Sequence, residues 1–374
     1  MPSARKAESA TAPAWRSWLP KIVLTILGIA VAYFIFRYMA TNFGGFEQGV
    51  QAAFSMPVGW TLLAIFGGLF AIAVYPLTAI AAIPHLGYVP AFVDRQGGFA
   101  ISTTIPFGGG PIAVGTQYGI LARYGVSQRL AAAAVAADAL WTYLMTFGAP
   151  GIALILLGVF ERRSLSGDTC GGLSCSAVDV VIIIAGVVCL VSMVAVAFVL
   201  RSRTNARRVG DFAQGLIGVA FRVMKRTPPN VVETVVGFND TAAEMVGKRW
   251  VPITVTNVVA QLAPMIVVIA ALRGVGDANV TVLEVFVAYS VALLLTTVPL
   301  APGGAGTVDA ALIGMLVAFG AEFDQAVAAD VIWRAFSFLP QMVLGWLAVG
   351  YFTVRQRLAR RSHQSVEPDR DRVT

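Results

Sequence analysis

The chain has 374 residues, of which 57% are hydrophobic and only 13% charged, with mean hydropathy +0.76 and net charge +7. Soluble globular chains carry about 25% charged residues, so this composition excludes a soluble enzyme or binding module and predicts an all-α polytopic membrane protein. The basic residues sit in loops beside apolar runs, as the positive-inside rule expects, and that placement argues against nucleic acid as a partner.

In chain order, residues 1–21 carry Arg5, Lys6, Arg16 and Lys21 ahead of an apolar run. No small-residue cleavage site follows Tyr38-Met39, so the run reads as an uncleaved first span behind a cytoplasmic tail rather than a signal peptide. Crossing the hydrocarbon core takes about 20 apolar residues. Six segments qualify: 22–39, 58–83, 130–158, 178–200, 251–272 and 327–352. Two further apolar regions, 98–122 and 286–319, are interrupted near their middles by proline and glycine. Broken backbone at membrane depth survives only where protein or a wet cavity satisfies it, and each arm is short for a full crossing. Both regions are therefore expected to be re-entrant hairpins, giving eight apolar segments.

Charge supports this arrangement. With six crossings and two hairpins, residues 1–21, 84–129, 201–250 and the C-terminal segment share one side and hold 22 of the 27 Lys and Arg residues. The opposite side receives Arg162, Arg163 and Arg273, while Arg37 and Arg334 fall within spans. Converting one or both hairpins to crossings moves basic loops to the wrong side, so both termini are expected in the cytoplasm. The domain reading is a tail at 1–21, a transmembrane domain at 22–354 and a disordered cytoplasmic tail at 355–374. Loop 201–250 contains two apolar-periodic runs, around 212–223 and 231–245, separated by Pro228-Pro229. Flanking basic residues make them candidates for interfacial helices on anionic headgroups.

The two broken regions resemble each other. Thr103-Thr-Ile-Pro106 parallels Thr296-Thr-Val-Pro299, Gly108-Gly109 parallels Gly303-Gly304, Ala134-Val-Ala-Ala-Asp138 is identical to Ala326-Val-Ala-Ala-Asp330, and Trp141 corresponds to Trp333. A repeat over about 58–158 and 251–352, with three full spans between the hairpins, places the second copy upside down. Inverted repeats with broken helices at the midplane are a common plan of secondary transporters.

Candidate site residues cluster at the breaks. Helix N-termini attract anions, and new half-helices are expected near Ile112 and Thr307. Pro106, Gly108, Gly109 and Gly110 at the first break, and Pro302, Gly303, Gly304 and Gly306 at the second, either permit a phosphate headgroup to approach or only permit tight packing. Ionisable groups inside a membrane are functional candidates. Asp138 lies about 12 Å into its span and Arg334 about 10 Å into its own by helical rise. Asp309 sits in the first turn after its break and could cap that half-helix. Asp330 and Arg334, four apart, could pair with each other, or Arg334 could reach a lipid phosphate while an acid handles protons. Gln117 is a polar lining candidate, and Arg123 reads as an edge anchor.

No enzyme signature is present. His85 and His363 have no Cys or Asp constellation, and Gly108-Gly-Gly110 is no dinucleotide fingerprint without a βαβ unit. Neither catalysis, a cofactor nor a metal is expected. Cys170 and Cys175 share a loop and could close a disulfide on an oxidising face or remain free thiols.

Pro302-Gly-Gly-Ala-Gly-Thr-Val-Asp309, the 316–320 run and Trp333-Arg334 together resemble the signature of the lysylphosphatidylglycerol synthase transmembrane-region family, over roughly 20–355. The resemblance implies a flippase-like protein of the bacterial inner membrane that handles a phospholipid or polyprenyl-phosphate-linked lipid. The family's glycine block usually ends in Glu, where Asp309 keeps the acid. Ile105-Pro-Phe-Gly-Gly-Gly-Pro111 departs from the family's first-half pattern, with no acid before Asp138 and with Arg123 standing for its Arg. The soluble aminoacyl-transfer domain of fused members is not expected, nor is lysyl transfer. The partners implied are membrane lipids. Two other readings stay open: a non-transporting accessory protein of envelope glycosyl- or acyl-transferases, and a small-solute transporter.

Overall fold

The computed structural model describes residues 51–105, 109–160, 187, 191, 194, 202–223, 231–276, 279–297 and 302–365. Among these, all regular structure is helical. The expected spans at 22–39 and 178–200 lie outside the described residues, apart from three positions of the latter, as do Pro106, Gly108, Cys170 and Cys175.

Proline sets the break in the first described apolar segment. α1 (Val58–Val74) stops before Tyr75-Pro76, and α2 (Leu77–Ala82) continues the same apolar segment. α3 (Tyr88–Thr104) follows, then α4 (Gly109–Arg123), and the two pack side by side. Gly98 on α3 faces the Gln117 side chain on α4, and Gly109 at the start of α4 lies against the carbonyls of Ile101 and Ser102. These contacts fix an antiparallel helical hairpin. α5 (Gln128–Phe160) is a single long helix with Pro150 inside it.

α6 (Arg203–Val223) packs on α7 (Val231–Leu262). The two apolar-periodic runs of the basic loop fall on these helices. The second is continuous with the next crossing, because α7 runs on through a kink at Arg249 (φ −131°, ψ 18°). Pro264 then separates α7 from α8 (Met265–Val275). α9 (Val282–Leu295) opens with a capping box in which Thr281 and Glu284 each serve the other's backbone N–H, a strong helix start. After a single 3₁₀ turn at Pro302–Gly304 come α10 (Thr307–Ala318), α11 (Phe323–Trp333), a π turn at Arg334–Phe338 and α12 (Leu339–Ser365). Pro340 accounts for the widened turn, since it has no N–H to donate to Phe336 and its ring crowds that carbonyl.

Among the described residues four segments are long and apolar enough to cross a membrane: Val58–Ala82, Gln128–Leu157, Arg249–Val275 and Phe323–Arg355. They match four of the six expected spans. α9 and α10 are shorter apolar helices on either side of the second break, and they also pack together. The chain is thus an all-α, multi-pass membrane protein.

Two buried clusters organise the helices. One joins α8 to α11 through Val267, Leu272, Tyr289, Leu312, Leu316 and Ile332. The other joins α2, α4, α5 and α7 through Ile83, Leu121, Leu140, Trp141 and Ile253. Leu62, Phe66 and Leu69 on α1 and Val343 and Leu347 on α12 stay exposed. An apolar exterior of this kind suits lipid, not water. With no hydrophobic drive between helices in lipid, close packing of small residues holds them. Gly345 on α12 shows this, lying against the Gln96 carbonyl and Ala100 of α3 where a Cβ has no room.

The turns after α4 and α10 share a backbone pattern. In the turn from α4 to α5, Tyr124, Gly125 and Val126 donate to the carbonyls of Ile120, Ala122 and Leu121. In the turn from α10 to α11, Phe319, Gly320 and Ala321 donate to Met315, Val317 and Leu316 in the same pattern. Gly125 and Gly320 both take positive φ, 82° and 101°, as a left-handed helix C-terminus favours. The identical pentapeptides ending at Asp138 and Asp330 are not in this register. Counted from the two glycines, Asp138 stands one helical turn deeper than Asp330.

Candidate functional site

The second break builds the more open polar site. Gly303, Gly304 and Gly306 hold φ of 60°, 67° and 84°, a left-handed path that costs other residues about 1–2 kcal/mol each. That path turns the chain so that α10 starts against the π turn. Asp309 then does two things. Its Oδ2 accepts the Gly306 N–H at 2.7 Å, capping α10, and its Oδ1 accepts from Arg334 Nε at 2.7 Å. Arg334 Nη1 donates to the Gly303 carbonyl at 3.1 Å. Its guanidinium lies 4.6 Å from the Phe338 ring and 5.0 Å from the Trp333 ring, within cation–π range.

Asp330, one turn back on α11, lies within electrostatic reach of both Asp309 and Arg334. The expected Asp330–Arg334 pair is not what forms. The glycine break brings Asp309 across to Arg334, whose side-chain hydrogen bonds go to Asp309 and the Gly303 carbonyl. Asp330 Oδ1, Trp333 Nε1 and Arg334 Nη2 are buried and have no hydrogen-bond partner among the described residues. Nη2 does lie 2.5 Å from Asp309 Oδ1, but off the line of a hydrogen bond, so this contact is electrostatic and the N–H stays available. Two donors and one acceptor are thereby unspent around an arginine whose side chain is 16% exposed.

The first half has its own arginine–carboxylate pair. Arg95 on α3 contacts Asp138 on α5 through Nη2 to Oδ1 at 2.6 Å and Nη1 to Oδ2 at 2.5 Å, a bidentate pair with Arg95 only 4% exposed. Its guanidinium stacks 4.6 Å from the Tyr75 ring. Arg95 lies ahead of the expected apolar arm at 98–122, yet it is buried on a helix. α3 begins at Tyr88, ten residues ahead of the expected arm, with Pro90 tolerated in its first turn. Asp94 and Arg95 are therefore inside the hairpin.

The two centres are joined by rings. Tyr75 meets Phe99 edge-on at 6.3 Å, and Phe99 meets Phe338 edge-on at 5.7 Å. Arg95 and Arg334 lie over the two end rings of this row.

The other candidates are placed more plainly. Gly109 is buried at the start of α4, its N–H donating to the Ile105 carbonyl at 3.0 Å, whereas Gly110 is open. Gln117 is buried against Gly98, inside the hairpin. Arg123 is exposed in the last turn of α4, where a cation suits the helix dipole. Pro302 opens the 3₁₀ turn. At the two helix starts, the Gly109 N–H donates to the Ile105 carbonyl and the Gly306 N–H to Asp309. Trp141 and Trp333 both pack, yet only Trp141 has its N–H satisfied, by Thr254 Oγ1 at 2.8 Å.

Arg95, Asp94 and Tyr75 were not legible as site residues, because Val-Asp-Arg-Gln at 93–96 reads as a polar loop between apolar runs. The available signal was the apolar spacing of Phe92, Val93, Phe99 and Ile101, which makes one helix of the whole stretch.

None of the curated proteins matches this sequence. The profile of the family described as lysylphosphatidylglycerol synthase TM region matches residues 25–345, a span that contains both breaks, both arginine–carboxylate pairs and the ring row, and the chain belongs to that family.

Proposed function

We propose that the protein moves a phosphate-bearing lipid, a phospholipid or polyprenyl-phosphate-linked lipid, across the bacterial inner membrane. Its headgroup engages Arg334 while its acyl chains remain in the bilayer. The observation that carries this reading is the donor surplus at the second break. Arg334 Nη2, in ion contact with Asp309, and Trp333 Nε1 are buried N–H groups without a hydrogen-bond partner among the described residues, and an anion bound there gains charge-assisted hydrogen bonds. Asp309 is the resident counter-ion that a phosphate displaces from the guanidinium, keeping its cap on α10.

In this reading the hairpins α3–α4 and α9–α10 enter from opposite faces as inverted copies, with six full crossings and both termini in the cytoplasm. The matching turns after α4 and α10 support a shared ancestry of the halves. The chain acts as a transporter and not as an enzyme, with membrane lipids as its partners. The test is dithionite-accessible flipping of fluorescent phosphatidylglycerol in vesicles reconstituted with the full chain. Wild type is expected to flip and Arg334→Ala to lose about tenfold or more, given the worth of hydrogen bonds to charged groups. Flipping unchanged in Arg334→Ala refutes the site. No flipping of any lipid favours an accessory role beside envelope glycosyl- or acyl-transferases.

A further inference from the structure

Charge at the second break is not balanced. Arg334 brings one positive charge, and Asp309 and Asp330 bring two negative ones. All three side chains are largely withdrawn from solvent, with Asp330 only 7% exposed. The elements packed around α11 add no further charge to the group. α10 contributes Asp309 alone, and α1, which packs on the π turn, has no ionisable residue. Arg273, the ionisable residue of α8, donates to the Val280 carbonyl at 2.9 Å. Tyr289 of α9, whose ring meets Trp333, gives its hydroxyl to the Gln261 carbonyl at 3.0 Å. The charges that act on Asp330 are Asp309 and Arg334.

The two acids are served unequally. Asp309 accepts the Gly306 N–H on Oδ2 and Arg334 Nε on Oδ1. Asp330 Oδ1 is buried with no hydrogen-bond partner among the described residues, yet the Asp330 carboxyl lies within hydrogen-bonding reach of that of Asp309. Two ionised carboxylates can only accept, so this contact turns attractive only when one of them gains a proton and donates to the other. Asp330 is the acid with an oxygen to spare for it.

We propose that Asp330 is a proton site coupled to headgroup binding: it takes up one proton as a phosphate displaces Asp309 from Arg334, and releases it as the headgroup leaves. The inference rests on the lipid-handling reading above and adds to it the coupling ion. A phosphodiester brings one negative charge, so without a proton a single guanidinium faces three anions in a buried site, where like charges repel strongly. One proton on Asp330 restores the net charge of the lipid-free site, and its O–H donates to the Asp309 carboxylate that has lost the arginine. The guanidinium itself stays charged throughout. A proton also needs no room among packed helices, as a metal ion would. Lowering the pH fills Asp330 and tightens headgroup binding, and raising it empties Asp330 and weakens binding.

The test is calorimetric titration of the detergent-solubilised full chain with dihexanoyl phosphatidylglycerol, whose diester phosphate keeps one charge over the pH range used. Repeating each titration in buffers of different ionisation enthalpy counts the protons taken up per lipid. Wild type is expected to take up about one proton and to bind about tenfold more tightly per unit fall in pH, as linkage to a single proton requires. Asp330→Asn is expected to take up none and to hold the wild-type acid affinity at every pH, whereas Asp330→Glu restores uptake. Zero uptake by wild type at every pH overturns the inference, as does uptake unchanged in Asp330→Asn. An affinity that follows sodium at fixed pH, and not protons, overturns it too, by placing a cation between the acids.

Vesicles separate the coupling from the transport reading. In wild type, an imposed pH difference is expected to speed the flipping of phosphatidylglycerol away from the acidic face, and Asp330→Asn is expected to lose that response. An equal response in both chains overturns the coupling. If wild type flips no lipid while the proton count holds, transport falls and the proton site stands. If Arg334→Ala binds phosphatidylglycerol as tightly as wild type, the headgroup site falls and the coupling falls with it.

Discussion

Counting charges at the second break predicts an uneven response to mutation. One guanidinium, Arg334, faces two carboxylates, Asp309 and Asp330. Removing the arginine in Arg334→Met takes away the hydrogen bonds to Asp309 and Gly303 and leaves two buried acids facing each other. Breaking a buried pair from one side costs about 3–5 kcal/mol, and with a second acid present the expectation is the top of that range. Asp309→Asn is milder. Asparagine still caps Gly306, and Arg334 retains a carboxylate one turn back at Asp330, so the net loss should be about 1 kcal/mol, that of one ordinary hydrogen bond. Asp330→Asn leaves a balanced one-to-one pair and should be neutral or slightly stabilising. The assay is the melting of the full chain in detergent, with each variant measured at the same protein and lipid concentration. Equal destabilisation by Arg334→Met and Asp309→Asn would refute the charge count, since it would mean that Asp330 does not share the arginine.

Other expectations follow from single contacts. Gly345→Val sets a branched side chain against the Gln96 carbonyl and Ala100, separating α12 from α3 and lowering the melting point by a loss of about 1–3 kcal/mol, the usual penalty for overpacking. Thr254→Val strips the acceptor from the Trp141 indole, and detergent melting should register about 1–3 kcal/mol for that buried donor. If the hairpins are re-entrant, Val89→Cys and Arg123→Cys label with an impermeant maleimide from one face of the membrane, and Val282→Cys and Ala318→Cys from the other. Opposite labelling of 89 and 123 rejects re-entry of the first hairpin.

Hydropathy and charge made much of this architecture legible from the sequence, because a bilayer imposes span length and loop charge so strictly. The Pro-Gly breaks were legible for the same reason, standing out against apolar surroundings. What was not legible depended on backbone turning. Arg334 sits four residues after Asp330, so helical spacing suggests that pair. The partner that forms, Asp309, is brought in by a turn with three positive-φ glycines, Gly303, Gly304 and Gly306, a device with no periodic signature. Asp94 and Arg95 were hidden differently: charge density made a loop of residues whose apolar neighbours already formed a helix.

The offset between the two halves explains why their centres differ. After matching turns at Gly125 and Gly320, α5 carries Asp138 one turn further from its turn than α11 carries Asp330. Asp138 thus reaches across to Arg95 on α3, and the arginine of that half comes from the helix before its break. On α11, Asp330 stops a turn short, and the arginine instead lies on the same helix, at the π turn. The one-turn slip thus pairs Asp138 with an arginine from another helix and leaves Asp330 beside the arginine that follows it on its own.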